Sequence, residues 1–314
     1  MTLSPKPIRP NGTLVGLLGE GIVTSLTPPM HRAEAAHLGL DYEYRVLDIA
    51  ESGQSVDDLP RILADVTNAG FDALNVTHPF KQRIIPYLDE LTEDADVLGA
   101  VNLVLYRDGR SIGHNTDWTG FGYAIGEGLG SITGQCVLQV GAGGAGAATC
   151  FALLRSGVSA LTVADRVSES AAYLVGRMRG HFPDADITSI PLVDLVSTLA
   201  SVGGVVHATP TGMLHNPGIP FDPDQLRPEA WVAEVVYLPL DTQLVQRARA
   251  GGRRVLDGGL MAVGQAIDSI RIITGHEPDG SRMRRHFLSL VDDASALSRP
   301  CHSHKHLPEK ENQR

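Results

Sequence analysis

Cysteine is scarce, long apolar runs are missing and basic residues are outnumbered, and each shortage removes a class of protein. The three cysteines in 314 residues, Cys136, Cys150 and Cys301, have neither metal-ligand spacing nor the even count of a disulfide framework. They read as buried or inert thiols in a reducing compartment, and no metal site is expected. No run approaches the ~20 apolar residues that a bilayer-spanning helix needs. The opening MTLSPKPIRPNG lacks the apolar stretch and small-residue cleavage site of a secretory leader. A soluble cytoplasmic chain is expected. Acidic residues number 36 against 26 Lys and Arg, for a net charge of -10. No basic cluster offsets that background, so nucleic acid and acidic membranes are excluded as partners.

What is present is an alternation of short apolar runs with stretches of helical period, the pattern of parallel α/β sheets. Residues 13–19, 41–49, 71–77 and 100–106 read as strands, with helices over 28–40 and 56–69 between them. After a helix and a Gly/Ser-rich connection within 114–134, a second series of six strands begins at QCVLQV and continues through ALTVAD, ADITSI, GGVVHA, WVAEVV and RRVL. Six strands interleaved with helices suit a doubly wound, Rossmann-type nucleotide-binding sheet. The chain closes with helices over 258–275 and 281–297, then a polar tail holding Cys301, His302, His304 and His306 that is expected to be disordered. The fold expected is α/β in two units. An N-terminal substrate-binding domain (1–117), completed by the C-terminal helices (258–297), accompanies a dinucleotide-binding domain (118–257), and 298–314 is the tail.

The second series opens on VLQVGAGGAGAATC, which sets Gly141, Gly143 and Gly146 as G-x-G-x-x-G between a strand and an alanine-rich helix. The first glycine permits the tight turn, the second admits a pyrophosphate to the backbone, and the third lets helix pack close to strand. Gly144 lies inside the same turn, and the helix N-terminus adds unpaired N–H groups. Asp165 ends the next strand about 20 residues on, where a carboxylate accepts hydrogen bonds from the adenosine ribose. A 2'-phosphate there would cost ~4 kcal/mol per charge pair at ~4 Å and an effective dielectric near 20. NAD is therefore expected over NADP, with Arg166 able to offset part of the repulsion or to stack on adenine. Asp165 as the N-cap of the following helix is the competing reading.

Polar segments in the first half sit at strand ends, where α/β folds place ligands. They are TSLTPPMH (24–31), NVTHPFK (75–81), GAVN (99–102) and GHNTDWTGFG (113–122). Singly, each has an ordinary structural explanation: Ser25 and Thr27 as caps, Asn75 and Thr77 as turn formers, Lys81 as a solvated residue, Asp117 as the N-cap of the next helix. Together, and with A-T-P-T-G-M (208–213), Val236 to Pro239, Gly258 and Gln265, they resemble the shikimate dehydrogenase family from about residue 14 to 295, in the family's order.

That resemblance implies a cleft between two domains for a cyclohexane or cyclohexene carboxylate, in a protein working as a monomer or homodimer. Ser25, Thr27 and Tyr237 would bind the carboxylate, and Asn75, Thr77, Asn102 and Gln265 the ring hydroxyls. Lys81 and Asp117 would form the catalytic pair, and Thr209, Met213 and Gly258 would join the glycine turn at the cofactor. Chemistry agrees: oxidising a secondary alcohol needs a base on its oxygen as hydride leaves its carbon. Lys81 is assigned proton transfer and Asp117 orientation. The reverse assignment stays open, because a coupled pair titrates as a unit.

Three positions depart from the common biosynthetic pattern. Thr27 replaces a second serine, Leu103 follows GAVN where threonine is usual, and Asp165 replaces an asparagine. Thr27, His78 and Asp165 resemble the NAD-dependent quinate/shikimate dehydrogenases, which implies quinate or shikimate oxidation, while Leu103 has no explanation in the sequence. The alternatives are a biosynthetic NADPH-dependent enzyme, an aminoshikimate-type dehydrogenase, and a regulator that binds the ring acid without turning it over.

Overall fold

The computed structural model describes residues 12–297. Its first part runs β1 (Thr13–Gly19), α1 (Thr27–His37), β2 (Tyr42–Asp48), α2 (Ile49–Ser52), α3 (Leu59–Asn68), β3 (Ala73–Val76), β4 (Glu90–Leu91), α4 (Glu93–Leu98), β5 (Leu103–Arg107), β6 (Arg110–His114) and α5 (Asp117–Gly128). Then follow β7 (Cys136–Val140), α6 (Gly144–Arg155), β8 (Ala160–Ala164), α7 (Ser168–His181), β9 (Asp186–Ile190), α8 (Leu195–Leu199), β10 (Gly204–His207), β11 (Trp231–Glu234), α9 (Gln243–Ala250), β12 (Val255–Leu256), α10 (Gly258–Thr274) and α11 (Gly280–Leu297). The tail expected to be disordered, with Cys301 and its histidines, lies outside the described residues.

The second sheet is parallel throughout, in the order β12-β11-β10-β7-β8-β9. This is the doubly wound arrangement, with its switch point between β7 and β10. β10 and β11 are buried along their whole length, as strands covered by helices on both faces must be. The chain therefore delivers the glycine turn after β7 and the Ala208–Met213 loop after β10 to one crevice.

The first sheet corrects the expectation of purely parallel alternation. Its order is β2-β1-β3-β5-β6-β4, and β5 runs antiparallel to both β3 and β6. The β5–β6 reversal is made by a two-residue hairpin at Asp108 and Gly109, whose φ of 51° and 73° are both left-handed, as the turn that matches strand twist requires. β4, α4 and β6 had no counterpart among the expected elements, because Glu90–Leu91 and Arg110–His114 are too short or too polar to show a period.

Two chain crossings link the sheets. α5 leaves the first for the second, and α10 returns from β12 to pack along α5. A Cβ on Gly120 would stand 2.6 Å from the Gln265 backbone nitrogen. Gly120 therefore serves close packing of α5 on α10. α11 is fastened to α1 by a part-buried ion pair: Arg282 donates to both carboxylate oxygens of Glu34, at 2.8 and 2.6 Å, and the Asp279 N–H adds a bond of 2.8 Å. That clamp fixes the helix that carries Thr27.

Candidate active site

Lys81 follows β3 on a turn anchored by Phe80, which is fully buried in the core of the first sheet. Burying a phenylalanine contributes about 2–3 kcal/mol, so the turn is pinned and its next side chain is aimed out of the core. Asp117 opens α5, one residue past the N-cap Thr116, so the reading of Asp117 as the cap itself is corrected. Its carboxylate is free to face the turn and favours the positive end of the helix. Lys81 Nζ donates to Asp117 Oδ2 at 2.6 Å, and Asn102 Nδ2 donates to Oδ1 at 2.9 Å. Asn102 is held in turn by the Thr116 N–H, which donates to its Oδ1 at 2.7 Å.

This pair lies in a cleft of about 530 Å³ between the two sheets. Ser25, Thr27, Asn75, Thr77, Asn102, Tyr237 and Gln265 all line it, as do Met213 and Gly258. Residues separated by more than two hundred positions thus converge on one volume. Burial first, and then the Asp117 charge, push the Tyr237 phenol above its usual range, so Tyr237 meets an anion as an O–H donor. Gln265 Nε2 donates one N–H to the Ala262 carbonyl of its own helix at 3.0 Å, and its second N–H and its Oε1 keep their bonding capacity. Among the described residues no group of three or more His, Cys, Asp or Glu is arranged to hold a metal. Burial pushes the Cys150 thiol up to about 12, which makes it inert.

The glycine turn borders the same cleft through Ala145. Gly141 has a φ of 115°, and a Cβ there would lie 2.4 Å from the Ala208 carbonyl oxygen. A Cβ on Gly146 would lie 2.3 Å from the Gly141 carbonyl oxygen, whereas Gly143 and Gly144 face open space. The first and last glycines are demanded by the turn itself, and the middle two leave room for a ligand at the N-terminus of α6. Those features fit a dinucleotide pyrophosphate. Gln139 secures the turn, donating to the carbonyls of Gly141 at 2.9 Å and Gly146 at 2.7 Å.

Asp165 accepts the Ala142 N–H at 2.8 Å and the Val167 N–H at 2.9 Å. It is not the N-cap of α7, a position that Val167 occupies. Arg166 beside it is exposed. Thr209 is withdrawn from the cleft lining, its hydroxyl 2.5 Å from His207 Nε2. His207 is in turn 2.8 Å from Glu234 within the buried interior.

Similarity to known proteins follows the same lines. Residues 17–104 match the family described as the shikimate dehydrogenase substrate binding domain. Over 283 residues, 90% of this chain and 97% of the relative, it is 48% identical to the shikimate dehydrogenase (NADP(+)) of Pseudarthrobacter chlorophenolicus. The chain belongs to the shikimate dehydrogenase family. Another family member, the quinate/shikimate dehydrogenase (NAD(+)) of Corynebacterium efficiens, is 45% identical over 88% of this chain and 98% of its own. The quinate dehydrogenase from Corynebacterium glutamicum, solved in complex with NAD, superposes with a TM-score of 0.83 at 42% identity, covering 88% of this chain and 99% of that one. The family is one of oxidoreductases, and the cofactors named among these relatives are NAD and NADP.

Several residues around the cleft escaped the sequence reading. Tyr44, Asn115, Thr116 and Ser269 are tied into the site by hydrogen bonds, yet none was assigned a role, and Tyr44 and Ser269 lie in segments that read as ordinary strand and helix. Only Asn115 and Thr116 carried a signal, through the polar run preceding Asp117. Leu103 now has an explanation. It stands opposite Asn75 in the β3–β5 register and is buried in a core with Tyr44 and Ile273. No helix among the described residues is long and apolar enough to cross a membrane.

Proposed function

We propose that this chain oxidises quinate or shikimate at a ring hydroxyl, using NAD, to the corresponding 3-dehydro acid. The observation that carries the reading is the Lys81–Asp117 contact of 2.6 Å within the cleft shared by both sheets. The glycine turn from Gly141 to Gly146, with Asp165, would hold the dinucleotide, and Met213 and Gly258 would border its reactive end. When bound, the nicotinamide supplies the hydride acceptor. Ser25, Thr27 and Tyr237 present hydroxyl donors for the ring carboxylate, which the protein's net charge of -10 does not attract from a distance. Asn75, Thr77, Asn102 and Gln265 orient the ring, and Lys81 takes the hydroxyl proton while Asp117 holds the amine in place.

The NAD preference rests on Asp165, whose carboxylate stands at the end of β8 beside the glycine turn. Use of NADPH in the reductive direction is the second reading, favoured by the NADP-linked relative at 48% identity. The Thr27 methyl near the ring carboxylate supports acceptance of quinate alongside shikimate.

Following dinucleotide reduction by absorbance, with both acids and both dinucleotides, tests the proposal directly. Turnover of at least one acid with a clear NAD preference is expected. Lys81→Ala should lower kcat by about a thousandfold or more, as loss of positioned acid–base chemistry does, with dinucleotide affinity nearly intact. Near-normal turnover in that variant would remove Lys81 from the mechanism, and binding of either acid without reduction would favour a sensor.

A further inference from the structure

We propose that Tyr44, a buried residue outside the cleft lining, is a positioning residue: it fixes the amide of Asn75 so that Asn75 offers an N–H, rather than its oxygen, to a ring hydroxyl. This rests on the ring-acid reading above. Tyr44 lies on β2 in the core of the first sheet, and its hydroxyl donates to Asn75 Oδ1 at 2.9 Å. Burial, reinforced by neighbouring Tyr42, holds its phenol well above the usual range against the smaller effect of Arg32, so it remains an O–H donor at any working pH. A donor on that side turns the amide oxygen inward and the nitrogen outward.

The residue opposite Asn75 strengthens the assignment. Leu103 pairs with it across β3 and β5, and an apolar side chain can neither donate to Oδ1 nor accept from Nδ2. The Asn75 nitrogen has only long bonds, 3.3 Å to Ser269 Oγ and 3.5 Å to the Asn102 carbonyl. Bonds of that length are weak, so an N–H can be surrendered to a ligand at little cost. Tyr44 itself is held by the His31 ring, edge-on with centroids 5.0 Å apart.

The network does not end at Asn75. Ser269 Oγ lies 3.2 Å from Thr116 Oγ1, which accepts from Asn102 Nδ2 at 3.0 Å, and Asn102 donates to Asp117. A continuous hydrogen-bonded path therefore joins the buried phenol to the Lys81–Asp117 pair, and α10 contributes its middle link.

The test is a double-mutant cycle on Tyr44→Phe and Asn75→Ala, read by KM and kcat for the ring acid and by the melting-temperature shift that the ring acid induces. Tyr44→Phe is expected to raise the ring-acid KM about tenfold, the loss of one oriented hydrogen bond, with the KM for dinucleotide unmoved. In the Asn75→Ala background it should have no further effect on KM. Should Tyr44→Phe fail to fold, Ser269→Ala removes the weak competitor for the same N–H, so a ring-acid KM unchanged or lowered up to about threefold is expected, and a KM raised about threefold or more overturns the inference. An unmoved ring-acid KM in folded, active Tyr44→Phe, or an equal rise in both backgrounds, overturns the inference alone. Absence of turnover of both acids by the unaltered protein overturns the function reading, and this inference with it.

Discussion

Acidification should destabilise this protein through His31, and by an amount that its burial sets. The side chain is fully buried on α1, its Nδ1 2.9 Å from the Tyr42 hydroxyl and its Nε2 without a partner. Burial pushes its pKa down from 6.5 to about 3. An unfolded chain takes up a proton at His31 below about pH 6.5, whereas the folded chain resists until about pH 3. Stability is therefore whole above the unfolded value and falls as pH drops through that window. Between about pH 7 and pH 5 the unfolded state gains about 1.5 units of protonation free energy, or about 2 kcal/mol. Urea unfolding of the protein and of His31→Gln, at both pH values, isolates this contribution, because every other titrating group cancels in the comparison. The unaltered protein should lose about 2 kcal/mol more than the variant. Parallel losses would refute the argument and show that the imidazole is charged or solvated in the fold. Because folded His31 stays neutral down to about pH 3, its packing on Tyr44 should leave the ring-acid KM unmoved over the same window.

Asp165→Asn keeps an acceptor for the Ala142 N–H but removes the charge that opposes a 2'-phosphate; the kcat/KM ratio of NADP to NAD should rise by about tenfold or more. Gly146→Ala puts a Cβ 2.3 Å from the Gly141 carbonyl oxygen, and titration calorimetry should show dinucleotide affinity reduced at least about tenfold while the ring-acid melting shift persists. Glu34→Ala strands Arg282, which is 30% exposed in the pair. The urea midpoint should fall while the slope of the transition stays unchanged.

Much of the site was legible because its residue types stand at strand ends with fixed spacing. The glycine turn between β7 and α6 announced itself through a constraint that any such turn must meet, and the six strands of the second sheet showed as dense apolar runs. The first sheet was harder. β6 is a polar five-residue edge segment, and the reversal at Asp108–Gly109 was overlooked although Asp-Gly is a hairpin signal. Tyr44 and Ser269 could not be found from their surroundings in the sequence, since a tyrosine in a strand and a serine in a helix ordinarily serve packing.

The alternation of strand and helix in the second sheet, the glycine turn after β7 and the polar residues at strand ends were written in the chain itself, because each depends on local periodicity or on residues a few positions apart. The tertiary structure alone decided which of those groups meet. It brought Lys81 onto Asp117, made Asp165 bridge the glycine turn and the entry to the following helix, and enlisted a buried tyrosine from β2, one strand beyond β1. Hydrogen-bond partners 31 to 194 positions apart, as for Asn75 with Tyr44 and Ser269, are matched by sheet register and helix crossing, and neither leaves a local trace.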